Sequence, residues 1–371
     1  MKKILLMTFE YPKGEIYCGG VGQIVKQCRQ VLLDMGYDVY VLISTHFLKK
    51  FPVKVLLPDE TLLRYPDFHS FQNDFNWYKF NYIIQNFVNW TQSLHKIKSH
   101  KGPKPKIFYH FHSILRRERD AGFKTLNRFL LNQEEMIKIS DKVICPSRYE
   151  YDNFIRYFPR FSEKIILVEN TIETFPPDEE EIQNIRDKYG IKKNDIVSIY
   201  VGRLEKIKGA ELLVKKIAKI LKKNKNLKIF VVGKVLERNI YKRLMSAKKR
   251  VPRQIYYIRY MQKKMLFQYY YLSNIFINTS FSESFSLATH EAALCGAVLL
   301  LSEIPAFDKF RDAAQIFSHQ DKNGNGFISQ YDRLLKNKNL WGKLSEKSVM
   351  IAKDLMAHNR LKQDLSKLFI I

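Results

Sequence analysis

The strongest constraint in this chain is a rhythm of apolar strands and amphipathic helices that runs, stops and starts again. KILLMTF (3–9) leads through a glycine-containing turn into a helix expected over Val21–Met35, which Gly36 ends, and then YDVYVLIS (37–44) follows. That is a strand–helix–strand unit, the opening of a parallel sheet. KIFYHF (106–111), DKVICPS (141–147) and KIILVEN (164–170) read as further buried strands. TIETFPPDEEEIQ (171–183), with two prolines and an acidic run, reads as a linker and helix start. Beyond it the rhythm restarts. DIVSIYVGR, LKIFVVGK, QIYYIRY and NIFINTS are strands and GAELLVKKIAKIL is a helix, with an amphipathic helical stretch from about Lys343 to Ile371. The chain is therefore α/β, two Rossmann-like, doubly wound domains in succession. The expected division is 1–169 and 170–352, the final helix, 353–371, returning to the first domain.

Length and composition agree with this. A chain of 371 residues with 46% hydrophobic residues spread along it suits two cores. No apolar run is long enough to cross a membrane, and the start, MKKILLMTFEYPKG, is too short in its apolar part for a signal peptide because Glu10 ends it. A cytoplasmic protein is expected. Cys18, Cys28, Cys145 and Cys295 form no CxxC pair and read as free thiols, and the acceptor-like triplets at Asn89 and Asn278 read as chance. The net charge of +26 draws polyanions: nucleic acid, an anionic membrane face or phosphorylated substrates. Its cations cluster in 212–228 and 241–253, as a solvated helix surface or as a polyanion surface.

Four stretches carry candidate chemistry. GGVG (19–22) stands between the first strand and first helix, where glycines let backbone approach a ligand and the helix N-terminus favours anions; a tight turn alone would also use glycine. VGRLEKIKG (201–209) places Arg203 and Lys208 after a strand, and two cations there suit a diphosphate. ESFSLATHE (283–291) sets two acids around a helix start. The amides of Phe285, Ser286 and Leu287 should point out of that helix, and Glu283 and Glu291 can accept hydrogen bonds from sugar and ribose hydroxyls. HFHS (110–113) ends a strand, with His112 directed at a ligand or buried in the core. A fifth stretch, DKNGNGFISQYD (321–332), imitates a calcium loop, but its twelfth residue is Asp332 and a strand, not a helix, precedes it.

Taken together, GRxxxxKG followed by SxxExFxLxxxEAxxCG resembles the second domain of retaining GT-B glycosyltransferases of family 4. The common family wording EGFGLxxxEAMACGxPVV stands here as ESFSLATHEAALCGAVLL, with Ser284 and Ser286 in place of two glycines. The opening TFEYPKGEIYCGGVGQIV, the strand SDKVICPS and the turn VENTIE resemble the family's first domain, so the likeness covers nearly the whole chain. It implies two domains facing across a cleft, with an acceptor domain first and a donor domain second. It implies a hexosyltransferase that moves sugar from a nucleotide diphosphate sugar with retention, without a metal or other cofactor. Arg203 and Lys208 would neutralise the diphosphate, Glu291 hold the ribose, Glu283 contact the transferred sugar, Gly19 and Gly20 approach phosphates or sugar, and His112 line the reacting sugar or an acceptor-side segment. The acceptor would be anionic or lipid-linked at the inner face of a membrane. Trp77, Tyr78, Phe80, Tyr82 and Trp90 could insert at headgroup level, while Lys96, Lys98, Lys101, Lys104 and Lys106 meet anionic lipid; a core role for the aromatics is the alternative. Rival functions are a basic nucleic-acid-binding protein, for which no module is visible, and a GT-B binding subunit without transferase activity.

Overall fold

A computed structural model describes residues 1–12, 18–43, 53–65, 73–88, 90–321, 323–356 and 358–370. Part of the glycine-containing turn, Ser44, Asn89, Lys322 and Ile371 lie outside the described residues. The chain forms two units, Met1–Thr171 with Ala357–Ile371, and Ile172–Met356.

The first unit is built on strands β1 (Lys3–Thr8), β2 (Asp38–Ile43), β3 (Val53–Leu56), β4 (Leu62–Tyr65), β5 (Tyr82–Gln85), β6 (Lys106–His110), β7 (Lys142–Cys145) and β8 (Ile165–Leu167). They lie side by side in the order β4-β3-β2-β1-β5-β6-β7-β8, and all neighbours are parallel except the β2-β3 and β3-β4 pairs. Leu5, Ile83, Ile107 and Val143 are fully enclosed, as apolar strands covered by helices on both faces must be. The first helix, Gly20–Asp34, closes at Met35 and Gly36, whose positive φ of 84° a side chain would resist.

Three strands of this unit, β3, β4 and β5, were not legible in the sequence, and one of them corrects an expectation. β5 pairs with both β1 and β6 in the middle of the sheet. Trp77, Phe80, Tyr82 and Trp90 are therefore core residues, no more than 9% exposed, and cannot insert into a membrane. Phe75 stacks on Phe80, and Trp77 meets Trp90 edge-on, in the same cluster as Leu5 and Ile107. Of the aromatics named, only Tyr78 is well exposed, at 44%. The C-terminal helix His358–Ser366 belongs to this unit. Phe369 packs on Tyr37, Tyr82 and Phe108, and Arg360 reaches Glu169.

The second unit holds β9 (Ile196–Val201), β10 (Leu227–Val232), β11 (Ile255–Ile258), β12 (Ile275–Asn278), β13 (Val298–Ser302) and β14 (Ala314–Phe317). The order is β11-β10-β9-β12-β13-β14, parallel throughout. Helices Ala210–Lys223, Arg238–Arg250 and Asn325–Lys336 share one apolar cluster; Glu179–Tyr189, Lys263–Leu272, Leu287–Leu294 and Asn339–Lys353 share or flank the other. In Ala210–Lys223 the pattern is plain: Leu213, Val214, Ile217, Ile220 and Leu221 face inward and the lysines outward. The acidic run begins a helix at Glu179, capped by Asp178, and Gln268 and Tyr271 hydrogen-bond the chain just before it, at Pro176, Asp178 and Phe175. Residues 325–332 are helical, and Asp321 accepts from the turn amide of Asn323 at 2.9 Å and from the helix amide of Gly326 at 2.7 Å; a calcium loop has a different geometry. The strand order reverses between β9 and β12, and at such switch points the loops beyond the strand ends part to receive ligands.

Candidate active site

Two loops meet at that reversal. The β9 loop carries Arg203 and Lys208; the β12 loop carries Glu283. Two hydrogen bonds join them: Phe281 N donates to Ile207 O at 2.9 Å and Thr279 Oγ1 to Lys208 O at 3.1 Å, and Tyr200 OH on β9 also donates to Lys208 O at 3.2 Å. Gly209 seals the junction. Its φ is +61°, and a Cβ there would lie 1.6 Å from Thr279 O, so no other residue fits without moving a loop.

Lys208 and Glu283, 75 positions apart in sequence, form an ion pair, with Nζ 2.8 Å from Oε2. The other Glu283 oxygen accepts from Ser280 Oγ at 2.7 Å. Arg203 stands half exposed beside Glu205 at 2.8 Å, its guanidinium reachable from solvent. The protein thus presents two cations and an oriented carboxylate at one strand-end site.

The helix Leu287–Leu294 begins behind Ser286, which adopts a left-handed conformation at φ 65°. That explains the glycine in the common family wording at this position. Here the strained backbone is held by Asn278 Nδ2 on Ser286 Oγ at 3.1 Å and by the Ser286–Thr289 hydroxyl contact at 2.8 Å. Ser286 O accepts the amides of Thr289 and His290, leaving those of Leu287 and Ala288 at the helix end. Phe285 is buried, its ring stacked on His290 at 4.3 Å, so its side chain belongs to the packing. Burial holds the His290 ring neutral, its pKa well below the usual range, with Nδ1 donating to Ser286 O.

Glu291, expected to hold the ribose, already has protein partners. It is 2% exposed, one oxygen is paired with Lys263, and the other accepts from Tyr270 OH at 3.3 Å. Its remaining lone pairs are what a ribose could use. Lys263, Tyr270 and Ser280 are the members that sequence reasoning missed. Lys263 opens a helix and has no motif around it.

In the first unit, the helix N-terminus at Gly19 and Gly20 already holds an anion. Glu10 accepts from Gly19 N through Oε2 and from Gly22 N through Oε1, both at 3.0 Å. A Cβ on Gly19 would sit 2.8 Å from that carboxylate, and one on Gly22 only 2.2 Å from Cys18 Sγ. The glycines serve this internal cap, which occupies the place sequence analysis gave to phosphate.

His112 lies two residues beyond the end of β6, its Nε2 3.2 Å from Asn86 Oδ1. Asn86 Nδ2 donates to Met7 O and Ile84 O, which turns its oxygen toward the ring, so Nε2 carries the proton. Burial pushes the His112 pKa down to about 3, and the ring is neutral at physiological pH. His110 lies beside it, ring centroids 4.4 Å apart, also kept neutral by burial.

Comparison with known proteins follows the same division. Residues 18–174 match the family model of glycosyltransferase family 4, and residues 181–348 that of glycosyl transferases group 1. The chain is 22% identical over 347 residues to the alpha-monoglucosyldiacylglycerol synthase of Acholeplasma laidlawii, covering 86% of this chain and 83% of that one. It is 22% identical over 185 residues to a D-inositol 3-phosphate glycosyltransferase of Kribbella flavida, covering 47% and 43%. Sucrose-phosphate synthase from Thermosynechococcus elongatus has the same fold, with a TM-score of 0.81 at 16% identity over 100% of this chain and 98% of that one. Anabaena HepE in complex with UDP and glucose gives 0.71 at 16% identity over 100% and 99%.

Proposed function

The chain belongs to the GT-B glycosyltransferases of the family-4 kind, and we propose that it transfers a hexose from a nucleotide diphosphate sugar to a lipid-linked acceptor with retention of anomeric configuration. The single observation that carries this reading is the convergence of Arg203, Lys208 and Glu283 at the strand-order reversal of the second unit, beside the open helix end after Ser286.

The second unit takes the donor. Arg203 and Lys208 neutralise the diphosphate as the sugar C1–O bond breaks, and the helix amides of Leu287 and Ala288 add to that charge complement. Glu283, oriented by Ser280, accepts from the transferred sugar's hydroxyls. Glu291, held by Lys263 and Tyr270, accepts from the ribose. In retention the acceptor oxygen bonds to C1 on the face the diphosphate leaves, and the departing phosphate oxygen takes the acceptor's proton. Built-in cations supply the charge a divalent ion would otherwise bring, so no metal is required. The first unit takes the acceptor. His112, its Nε2 hydrogen-bonded to Asn86 Oδ1 and its ring held neutral, acts there as a hydrogen-bonding group.

A lipid-linked acceptor is supported by the likeness, over 86% of this chain and 83% of that one, to an alpha-monoglucosyldiacylglycerol synthase. Among the described residues no helix is long and apolar enough to cross a membrane. UDP-glucose is the first donor to test, as the ligand of a protein of this fold.

The experiment is turnover of UDP-glucose and a panel of other nucleotide sugars in EDTA, with diacylglycerol in mixed micelles and proton NMR of the product. The reading expects an α-linked product from an α-linked donor. A β-linked product ends retention, an absolute need for Mg²⁺ or Mn²⁺ ends metal independence, and no turnover of any donor ends the transferase reading.

A further inference from the structure

Half of the net charge of +26 sits in 44 residues: segment 210–253 holds fifteen Lys and Arg against Glu211 and Glu237. The fold puts this segment mostly on one face. Helices Ala210–Lys223 and Arg238–Arg250 bury Leu213, Ile217, Ile240 and Leu244 in the same cluster, and Asn325–Lys336 joins the layer through Phe327 and Tyr331. The outward sides are cationic: Lys219, Lys222, Lys223, Lys248, Lys249 and Arg250 are all exposed. Glu211 offsets part of it by pairing with Lys215 and Arg243. A solvated helix needs a few such charges, not a whole layer of one sign.

The layer also has a recess. Between Ala210–Lys223 and Asn325–Lys336 lies an open groove of about 520 Å³, with Lys219, Lys223, Arg333 and Lys336 around it and Asp332 as its acid. At about 1.5 Å of rise per residue, Lys219 and Lys223 stand roughly 14–20 Å along the helix from its start beside Lys208, so the groove is separate from the donor site. Its size and four cations suit a phosphate diester headgroup.

We infer that this three-helix layer of the second unit is where the protein docks on an anionic lipid bilayer, the groove between Ala210–Lys223 and Asn325–Lys336 receiving a phospholipid headgroup. The inference rests on the lipid-acceptor reading above and replaces the buried aromatics of the first unit as the membrane contact. A bilayer is favoured over single-stranded nucleic acid because that partner needs aromatic stacking platforms. The one aromatic of the two basic helices, Tyr241, is packed on Tyr257 at 5.6 Å.

The test is co-sedimentation of the full chain with phosphatidylcholine vesicles, with and without phosphatidylglycerol. Binding is expected only to the anionic vesicles, and it should fade as salt shortens the Debye length from about 10 Å toward 3 Å. Each cation near such a surface contributes about 1 kcal/mol, about fivefold in affinity. Lys219→Gln, Lys223→Gln and Lys336→Gln together should therefore weaken binding roughly a hundredfold. Lys96→Gln, Lys101→Gln and Lys104→Gln in the first unit should leave it within about threefold, since they carry the same charge change without the layer. Equal losses in the two triple variants, or equal binding to neutral vesicles, overturn the inference. So does tight binding of duplex DNA, abolished by the layer variant, with no vesicle binding. Turnover of UDP-glucose with a micellar acceptor, in wild type and layer variant, reads the transferase function separately: activity without vesicle binding sinks this inference alone.

Discussion

Lys208→Met separates two jobs that the Lys208–Glu283 pair combines. In the resting protein the Lys208 side chain is 22% exposed and that of Glu283 9%. Removing one partner of a fully buried pair costs about 3–5 kcal/mol, and an exposed pair is worth about 0–1 kcal/mol. This pair lies between, and Glu283 keeps the Ser280 hydroxyl at 2.7 Å. A loss of about 2 kcal/mol in the second unit follows, or about 4–8 °C in Tm. Adding Glu283→Gln removes the orphaned charge and should return most of that stability. Turnover should behave differently. Loss of one preorganised group facing the transition-state charge costs about 10²–10³ in rate, and Glu283→Gln cannot restore a cation to the diphosphate. Calorimetry and kcat/KM on the two single variants and the double variant close the cycle. If the double variant regains activity along with stability, Lys208 serves only to hold Glu283 and the diphosphate role is refuted.

Gly209→Ala should drop the second unit's Tm and abolish donor binding, because it adds about 1–2 kcal/mol of left-handed backbone strain to a 1.6 Å clash with Thr279 O; thermal scans with and without UDP measure both. Lys263→Met should raise the donor KM more than it lowers kcat, since it frees Glu291 from its orienting partner, and steady-state kinetics showing a pure kcat loss would reverse that role. His112 is protonated near pH 6.5 when unfolded and near 3 when folded. Below 6.5 the unfolded chain takes up a proton that the folded one refuses, so stability is lost as pH falls through that window. Urea midpoints between pH 6.5 and 5 should decline, less steeply in His112→Asn.

Most of the parallel strands were legible because each is a short apolar run bounded by turn residues, as in KILLMTF and NIFINTS; Val298–Ser302 follows directly on an apolar helix, and AALCGAVLL reads as helix-like throughout. Tyr82–Gln85 was not. Trp77, Phe80 and Trp90 beside it are residue types that suit a bilayer interface as well as a core, and only the pairing of β5 with β1 and β6 decides. The antiparallel β3 and β4 are four residues each and give little periodicity. Arg203, Lys208 and Glu283 could be found because their spacing resembles a family pattern, and the fold brings Lys208 and Glu283 within hydrogen-bonding distance. Lys263 could not, being one cation among 63 with no spacing to mark it. Glu10 was visible as an acid ending the first apolar run. Its bonds to Gly19 N and Gly22 N depend on a chain reversal that sequence spacing does not encode.

The account stands on Arg203 and Lys208 recognising a diphosphate in the second unit. Calorimetric titration of the wild-type chain with UDP and with uridine measures that most directly, repeated on Arg203→Ala and Lys208→Met. The account predicts that the wild type prefers UDP by about 10²-fold or more, two charge-assisted contacts at about 1.5–3 kcal/mol each, and that each variant loses about tenfold or more of that preference while its affinity for uridine holds. Equal affinity of the wild type for UDP and uridine, or an undiminished preference in both variants, would contradict it.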